Sequence, residues 1–412
     1  MGGLRAPCAG LGQEITMKHP LPRIGLLARV AIAIVLGIAA GMVLPVWAAR
    51  CFATFNSLFS SFLGFVIPLL IVGFVAPAIA DIGRRAGAML LATVAISYLM
   101  TFGSGALAYI TANFAFPSLI EPAAYIAATG GSVAGPDAFF NIEIEPLMTV
   151  TASLVLAFVL GFGCAVLPLA RTLKSLLEDF RSIINLVIGR AIVPLLPLYI
   201  FGIFMGMTMA GTVGSILSTF IKIIVVIFAL HIGVLVLQYC VASAFSRRNP
   251  FKALATMMPA YFTALGTQSS AATIPVTLER TVAMGVNRDI AGFTVPLCAT
   301  IHMSGSTLKI VSCAMALMVL HGMPYDFGMF AGFIAMLGIT IIAAPGVPGG
   351  AIMASLGLLS GMLGFSDADN AMMIALYIAM DSFGTACNIT GDGAIAQIVE
   401  RIFRRPTTSG TL

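Results

Sequence analysis

Charge is what this chain has least of: Lys, Arg, Asp and Glu make up 9% of its 412 residues, against 59% hydrophobic ones. A soluble globule of this size needs about a quarter of its residues charged, so the composition excludes one and leaves a polytopic membrane protein. A mean hydropathy of +1.06 agrees. Paired cysteine spacing is also missing. The seven cysteines (Cys8, Cys51, Cys164, Cys240, Cys298, Cys313, Cys387) stand singly, mostly inside apolar runs, which excludes thiol metal and redox motifs and makes them small buried hydrophobes. The first twenty residues lack an apolar run of signal-peptide length, and Met1-Gly2-Gly3-Leu4-Arg5-Ala6 lacks the Ser or Thr of a myristoylation site. Met17, followed by Lys18, His19 and Arg23, is as good a start as Met1, so residues 1–20 are expected to be a cytoplasmic tail. The net charge of +5 comes from basic residues at segment ends, where they set topology; nucleic-acid binding gains no support.

Apolar segments run over Leu21–Trp47, Phe55–Ile82, Ala88–Phe114, Leu147–Leu167, Ile183–Met209, Val213–Ala244, Phe251–Val276, Ile290–Leu320, Phe327–Leu363 and Ala371–Phe403. Most reach the roughly 20 residues that a bilayer demands. Basic residues before the first (Lys18, Arg23) and after the second (Arg84, Arg85), fourth (Arg171, Lys174, Arg181) and sixth (Arg247, Arg248, Lys252) mark those ends as cytoplasmic. The opposite loop, Pro117–Pro146, carries Glu121, Asp137, Glu143 and Glu145 and no Lys or Arg; Arg50 is a lone exception.

Phe251–Val276 is flanked by basic residues on both sides, with Glu279, Arg280 and Arg288 beyond it. Crossing twice takes ~40 residues, more than it holds, so a re-entrant hairpin is expected, broken at the polar run Gly266–Pro275. Phe327–Leu363 has no basic residue near either end and is interrupted by Ala343-Ala344-Pro345-Gly346-Val347-Pro348-Gly349-Gly350, which predicts a second hairpin from the outer side. The expected architecture is all-α: eight transmembrane helices and two re-entrant hairpins, both termini cytoplasmic. Its second half repeats hairpin then polar helix in inverted orientation, as where secondary transporters bind substrate and ion at the midplane.

The last segment holds the most costly residues. A carboxylate at bilayer depth costs at least ~2.5 kcal/mol, and this segment carries Asp381 and Asp392. Asp381, Thr385, Asn388 and Asp392 are spaced four, three and four apart, one continuous stripe on a helix. Asp381 can accept from an ammonium group; Asn388 and Asp392 offer hard oxygens to an alkali or alkaline-earth cation. Interhelical polar glue is the bland alternative, but glue rarely needs two carboxylates.

Three motifs in order resemble the dicarboxylate/amino acid:cation symporter family of glutamate-transporter homologues: Thr267-Gln268-Ser269-Ser270 in the first hairpin, Gly346–Gly349 (G-V-P-G) in the second, and Asn388-Ile389-Thr390-Gly391-Asp392 in the last helix. The resemblance covers roughly Pro22 to Arg404. Ser269-Ser270-Ala271-Ala272-Thr273-Ile274-Pro275-Val276 and Gly349-Gly350 are most similar to bacterial sodium/serine-threonine symporters. The family implies an elevator-type homotrimer in the cell inner membrane, with scaffold 21–82 and 147–209 and transport domain 88–114 and 213–403. It implies that Asp381 holds the substrate ammonium, that Asn388, Ser270 and Ser269 with the amides of Gly346, Val347 and Gly349 hold its carboxylate, and that Thr385, Gly384 and Met303 line the pocket. One sodium would rest on Asp392 with carbonyls near Cys298, His302 and Asn388; a second on carbonyls around Thr300, Met303, Ala343 and Ala344.

Departures from the pattern refine the expectation. Acidic-substrate members carry an arginine where this chain has Gly384, so the resemblance implies a substrate other than a dicarboxylate, and Gly384 leaves room for a larger neutral side chain. The N-M-D-G-T motif reads His302-Met303-Ser304-Gly305-Ser306, and Lys309 lies one turn beyond. With Lys309 charged and His302 neutral, this moves the local charge by about +2 and should repel a cation. Lys309 either bonds to carbonyls or fills the place of a bound cation; His302 is a core histidine or a proton carrier; His231 and His321 read as structural. The expected function is sodium symport of a neutral L-amino acid such as serine, threonine or alanine, with fewer sodium ions than acidic-substrate relatives. Proton coupling and cation-independent exchange are alternatives. A channel would spread its polar groups along a pore. An enzyme would need a catalytic constellation that is missing, since Asp381 and Asp392 lie ~16 Å apart along a helix.

Overall fold

The structure, a computed structural model, describes residues 25–84, 87–120, 136–167, 170–342 and 349–403. Among these residues every regular element is helical: α1 (Leu26–Val43), α2 (Val46–Arg84), α3 (Ala88–Leu119), α4 (Val150–Val166), α5 (Arg171–Met209), α6 (Val213–Ser246), α7 (Pro250–Thr267), α8 (Ser270–Ala283), α9 (Arg288–Ile301), α10 (Ser304–His321), α11 (Phe327–Ile342), α12 (Gly350–Leu363), α13 (Asp367–Ala379) and α14 (Asp381–Phe403). Six spans are long and apolar enough to cross a membrane: α1, α2, α3, α5, α6 and the α9–α10 pair. The α13–α14 pair, bent by 62°, makes a seventh. With 17 residues, or ~26 Å by helical rise, α4 is at the short end for a span.

Several boundaries differ from the sequence reading. Trp47 belongs to α2, because Pro45 divides it from α1. Helix α5 starts at Arg171, twelve residues before its apolar run, because the leading stretch is amphipathic and buries only Leu177 and Ile184. A single five-residue π turn, Ile188–Ile192, joins that stretch to the apolar part. The segment expected over Ile290–Leu320 is two helices, parted at His302 and Met303, whose dihedrals (φ −91°, ψ 106° and φ −123°, ψ 36°) are not helical. Helix α13 starts at Asp367, where Ser366 and Asp369 form a reciprocal capping box, and Met380 separates it from α14.

Both interrupted segments are helix pairs. In the first, Asn249 caps α7 by accepting from Lys252 N, and Ser269 caps α8 by accepting from Ala272 N; Gln268 between them is left-handed at φ 53°. In the second, α12 begins after Gly349 at φ +78°, a conformation that L side chains rarely adopt. Residues 343–348, with the expected site positions Ala343, Ala344, Gly346 and Val347, lie outside the described residues.

Helix α14 is the axis of the second half. It packs against α6, α7, α8, α9 and α10, and every residue from Gly384 to Glu400 is buried. Helix α10 is equally enclosed, from Ser304 to Leu320. By contrast α1 packs on α5 and α2 on α4, and α1, α4 and α5 keep many large apolar side chains exposed, among them Leu36, Val159 and Leu186, as a lipid-facing layer would. At one end Arg248 ties the second half together: its Nη2 lies 2.7 Å from Glu400 Oε2 and donates to Gly285 O, while Asn287 N donates to Glu400 Oε1 at 2.9 Å.

Candidate functional site

Four helix N-termini meet around one cavity of about 140 Å³: α8 at Ser270, α10 near Ser306, α12 at Gly350 and α14 at Asp381. Each terminus carries a partial positive charge, which suits a carboxylate. Ala299, Thr300 and Met303 complete the wall from the end of α9, and Thr385, Asn388 and Tyr377 complete it from α14 and α13. Among the described lining residues Asp381 carries the only charge.

The polar stripe is buried throughout and most deeply at its far end: Asp381 is 6% exposed, Thr385 9%, Asn388 3% and Asp392 0%. Thr385 Oγ1 donates to Asp381 O at 3.0 Å. Asn388 Oδ1 accepts from Gly305 N at 2.7 Å and Ser306 N at 3.4 Å, and its Nδ2 donates to Ser306 Oγ at 3.1 Å. Asn388 therefore caps α10 as well as facing the cavity. Ser269 Oγ is committed to capping α8 and is not among the lining residues, whereas Ser270 is.

Asp381 already has partners. Lys309 Nζ, wholly buried, lies 3.2 Å from its Oδ1, and Gly349 N donates to its Oδ2 at 2.9 Å. Lys309 also donates to Met380 O at 3.3 Å and stands 3.6 Å from the centroid of the Tyr377 ring, a cation–π contact. It neither snorkels nor lines the cavity. A Cβ placed on Gly384 would come within 2.5 Å of Lys309 Cε and Nζ. The space expected above Gly384 for a larger substrate is thus filled by Lys309, a correction to the sequence reading.

Asp392 is built differently. His302 Nδ1 lies 3.0 Å from Asp392 Oδ1 and 3.1 Å from Asn388 O; with two acceptors around it, Nδ1 is the nitrogen that carries a proton. Nε2 faces Gln238 Nε2 at 3.4 Å. Among the described residues Asp392 Oδ2 has no hydrogen-bond partner. Cys298 O, an expected sodium ligand, accepts from His302 N at 2.8 Å, and Thr300 Oγ1 donates to Leu297 O. Met303 N donates to Thr101 Oγ1 at 3.2 Å and Ser304 O accepts from Ser104, so α3 holds the α9–α10 break in place. His231 contacts Gly305 O through Nε2, and His321 Nδ1 lies 3.0 Å from Asp369 Oδ1, both away from the cavity lining.

Sequence reasoning missed Tyr377, Gln238 and Thr101, and it missed that Lys309 answers Asp381. Charge balance was the available signal: a lysine deep in an apolar segment requires an anion, and few are on offer. Residues 26–402 match the family model described as "Sodium:dicarboxylate symporter family".

Proposed function

The chain belongs to the sodium:dicarboxylate symporter family, and on that premise we propose that it imports a neutral L-amino acid, of the size of serine, threonine or alanine, together with sodium. Members of the family are transporters, which agrees with the apolar helices of a multi-pass membrane protein. One observation carries the substrate reading: Asp381 is the only charged side chain facing the cavity among the described residues, and Lys309 balances it from behind. The helix N-termini suit one carboxylate and Asp381 suits one donor such as an ammonium, which matches an amino acid with a neutral side chain. An acidic side chain would enter with no cation to meet it.

Sodium is cargo in this reading. Asp392 Oδ2 is a buried, hard oxygen without a donor among the described residues, the kind of group that a sodium ion satisfies. We extend the proposal to an elevator in which 88–114 and 213–403 move against 21–82 and 147–209, in a homotrimer of the inner membrane with both termini cytoplasmic. The exposed apolar faces of α1, α4 and α5 support a scaffold against lipid and neighbouring copies. Cation-independent exchange is the second reading, favoured by the donor that each carboxylate already has, Lys309 for Asp381 and His302 for Asp392. A thermal-shift screen of the twenty amino acids with and without sodium, followed by uptake into proteoliposomes under an imposed sodium gradient, decides between them. Aspartate competing as well as serine would reject the substrate reading; uptake indifferent to sodium would reject sodium symport.

A further inference from the structure

A buried carboxylate facing a ligand normally makes the ligand's amine obligatory. An analogue without the amine leaves the carboxylate desolvated and unpaired, and sites of this kind reject such analogues by about 10⁴- to 10⁵-fold. Asp381 is not in that position. Its Oδ1 has Lys309 Nζ at 3.2 Å and its Oδ2 has Gly349 N at 2.9 Å, before any ligand arrives.

Lys309 is held where it is. Its ammonium is fully buried, and it is further engaged by Met380 O at 3.3 Å and by the face of Tyr377 at 3.6 Å. Its methylene end fills the space over Gly384, where a Cβ would approach to 2.5 Å. Tyr377 is fixed in turn, its hydroxyl donating to Ser306 Oγ at 3.1 Å. Lys309 is therefore part of the wall behind Asp381, and a ligand does not displace it to reach the cavity.

We propose that the cavity takes 2-hydroxy monocarboxylates, the deaminated counterparts of small neutral amino acids, as a second substrate class, because Lys309 supplies from within the protein the positive charge that Asp381 would otherwise require of the ligand. This rests on the neutral amino acid reading of the same site. The two classes share the carboxylate, which the four helix N-termini receive in both cases. At the other end a hydroxyl donates to Asp381 in place of the ammonium, one neutral donor for one charged donor. That exchange costs about tenfold in affinity, not the factor that attends a stranded charge.

The test is calorimetric titration of the full-length detergent-purified protein with L-serine against L-glycerate and L-alanine against L-lactate, in saturating sodium. Within each pair the hydroxy acid should bind within about tenfold of the amino acid. In Lys309→Met the ratio should open by a further factor of about 100 or more, and in Lys309→Arg, which keeps the charge, by less. Amino acids that bind to the parent while hydroxy acids are more than about 1,000-fold weaker would overturn the inference and leave the functional reading standing. An unchanged ratio in a folded Lys309→Met protein would overturn the role of Lys309. Binding of none of the four would overturn the functional reading and this inference with it. The parent ratio decides the matter even where a variant does not fold.

Discussion

Two buried carboxylates on α14 each meet a base from the α9–α10 pair, and the pairs are finished to different degrees. Asp381 stands at a helix N-terminus beside a cavity and has both oxygens engaged, one by Lys309 and one by Gly349 N. Asp392 lies mid-helix, fully enclosed, with one oxygen against His302 and the other without a donor among the described residues. The finished carboxylate can present a neutral surface to a variable ligand. The unfinished one asks for a cation of fixed kind, since an ionised oxygen in a dry interior is costly until something positive reaches it.

The sharpest way to break the comparison is Asp381→Asn. It leaves Lys309 wholly buried without its anion, and removing one member of a buried pair costs about 3–5 kcal/mol. Substrate-dependent stabilisation and uptake should both vanish, read by thermal shift and proteoliposome flux; normal transport would refute the site. Asp392→Asn tests the unfinished member. It should spare the fold better, because His302 keeps Asn388 O as a partner, yet raise the sodium concentration for half-maximal uptake by at least about tenfold. A sodium dependence left untouched would refute Asp392 as a ligand. Gly384→Ala should cost about 1–3 kcal/mol, because the new methyl must push aside the Lys309 ammonium and its last methylene; denaturant or thermal unfolding reads it. Tyr199→Phe is the smallest. The hydroxyl donates to Asp367 O and meets Ser60, both at 3.0 Å, so its loss should cost about 1 kcal/mol and leave the serine affinity unchanged.

Much of α14 was legible because its information is local. The spacing of Asp381, Thr385, Asn388 and Asp392 makes one stripe on any helix, and the helix spans all four. The first interruption was legible for the same reason: Gln268 and the capping Ser269 fall inside the polar run that marked it. The breaks at His302–Met303 and at Met380 were not, since neither contains the proline or glycine that announces a helix end. Nor was the leading stretch of α5, whose polar face hides a helix from a search for apolar runs. Least legible was the partnership of Lys309 with Asp381, 72 residues apart, which only the packing of α10 on α14 creates. Weighed alone, each residue pointed elsewhere, Asp381 to a ligand and Lys309 to backbone carbonyls or to the place of a bound cation.

The pairing of Lys309 with Asp381 also bears on membrane voltage. One elementary charge carried through the field exchanges about 2.3 kcal/mol per 100 mV. With lysine charged and aspartate ionised, the pair sums to zero and its members are 3.2 Å apart, so the field exerts almost no net force on that end of α14. Any current that accompanies transport is then carried by the cargo and by the state of Asp392. Of the two carboxylates on the polar stripe, Asp392 is then the one through which the field can act on the helix.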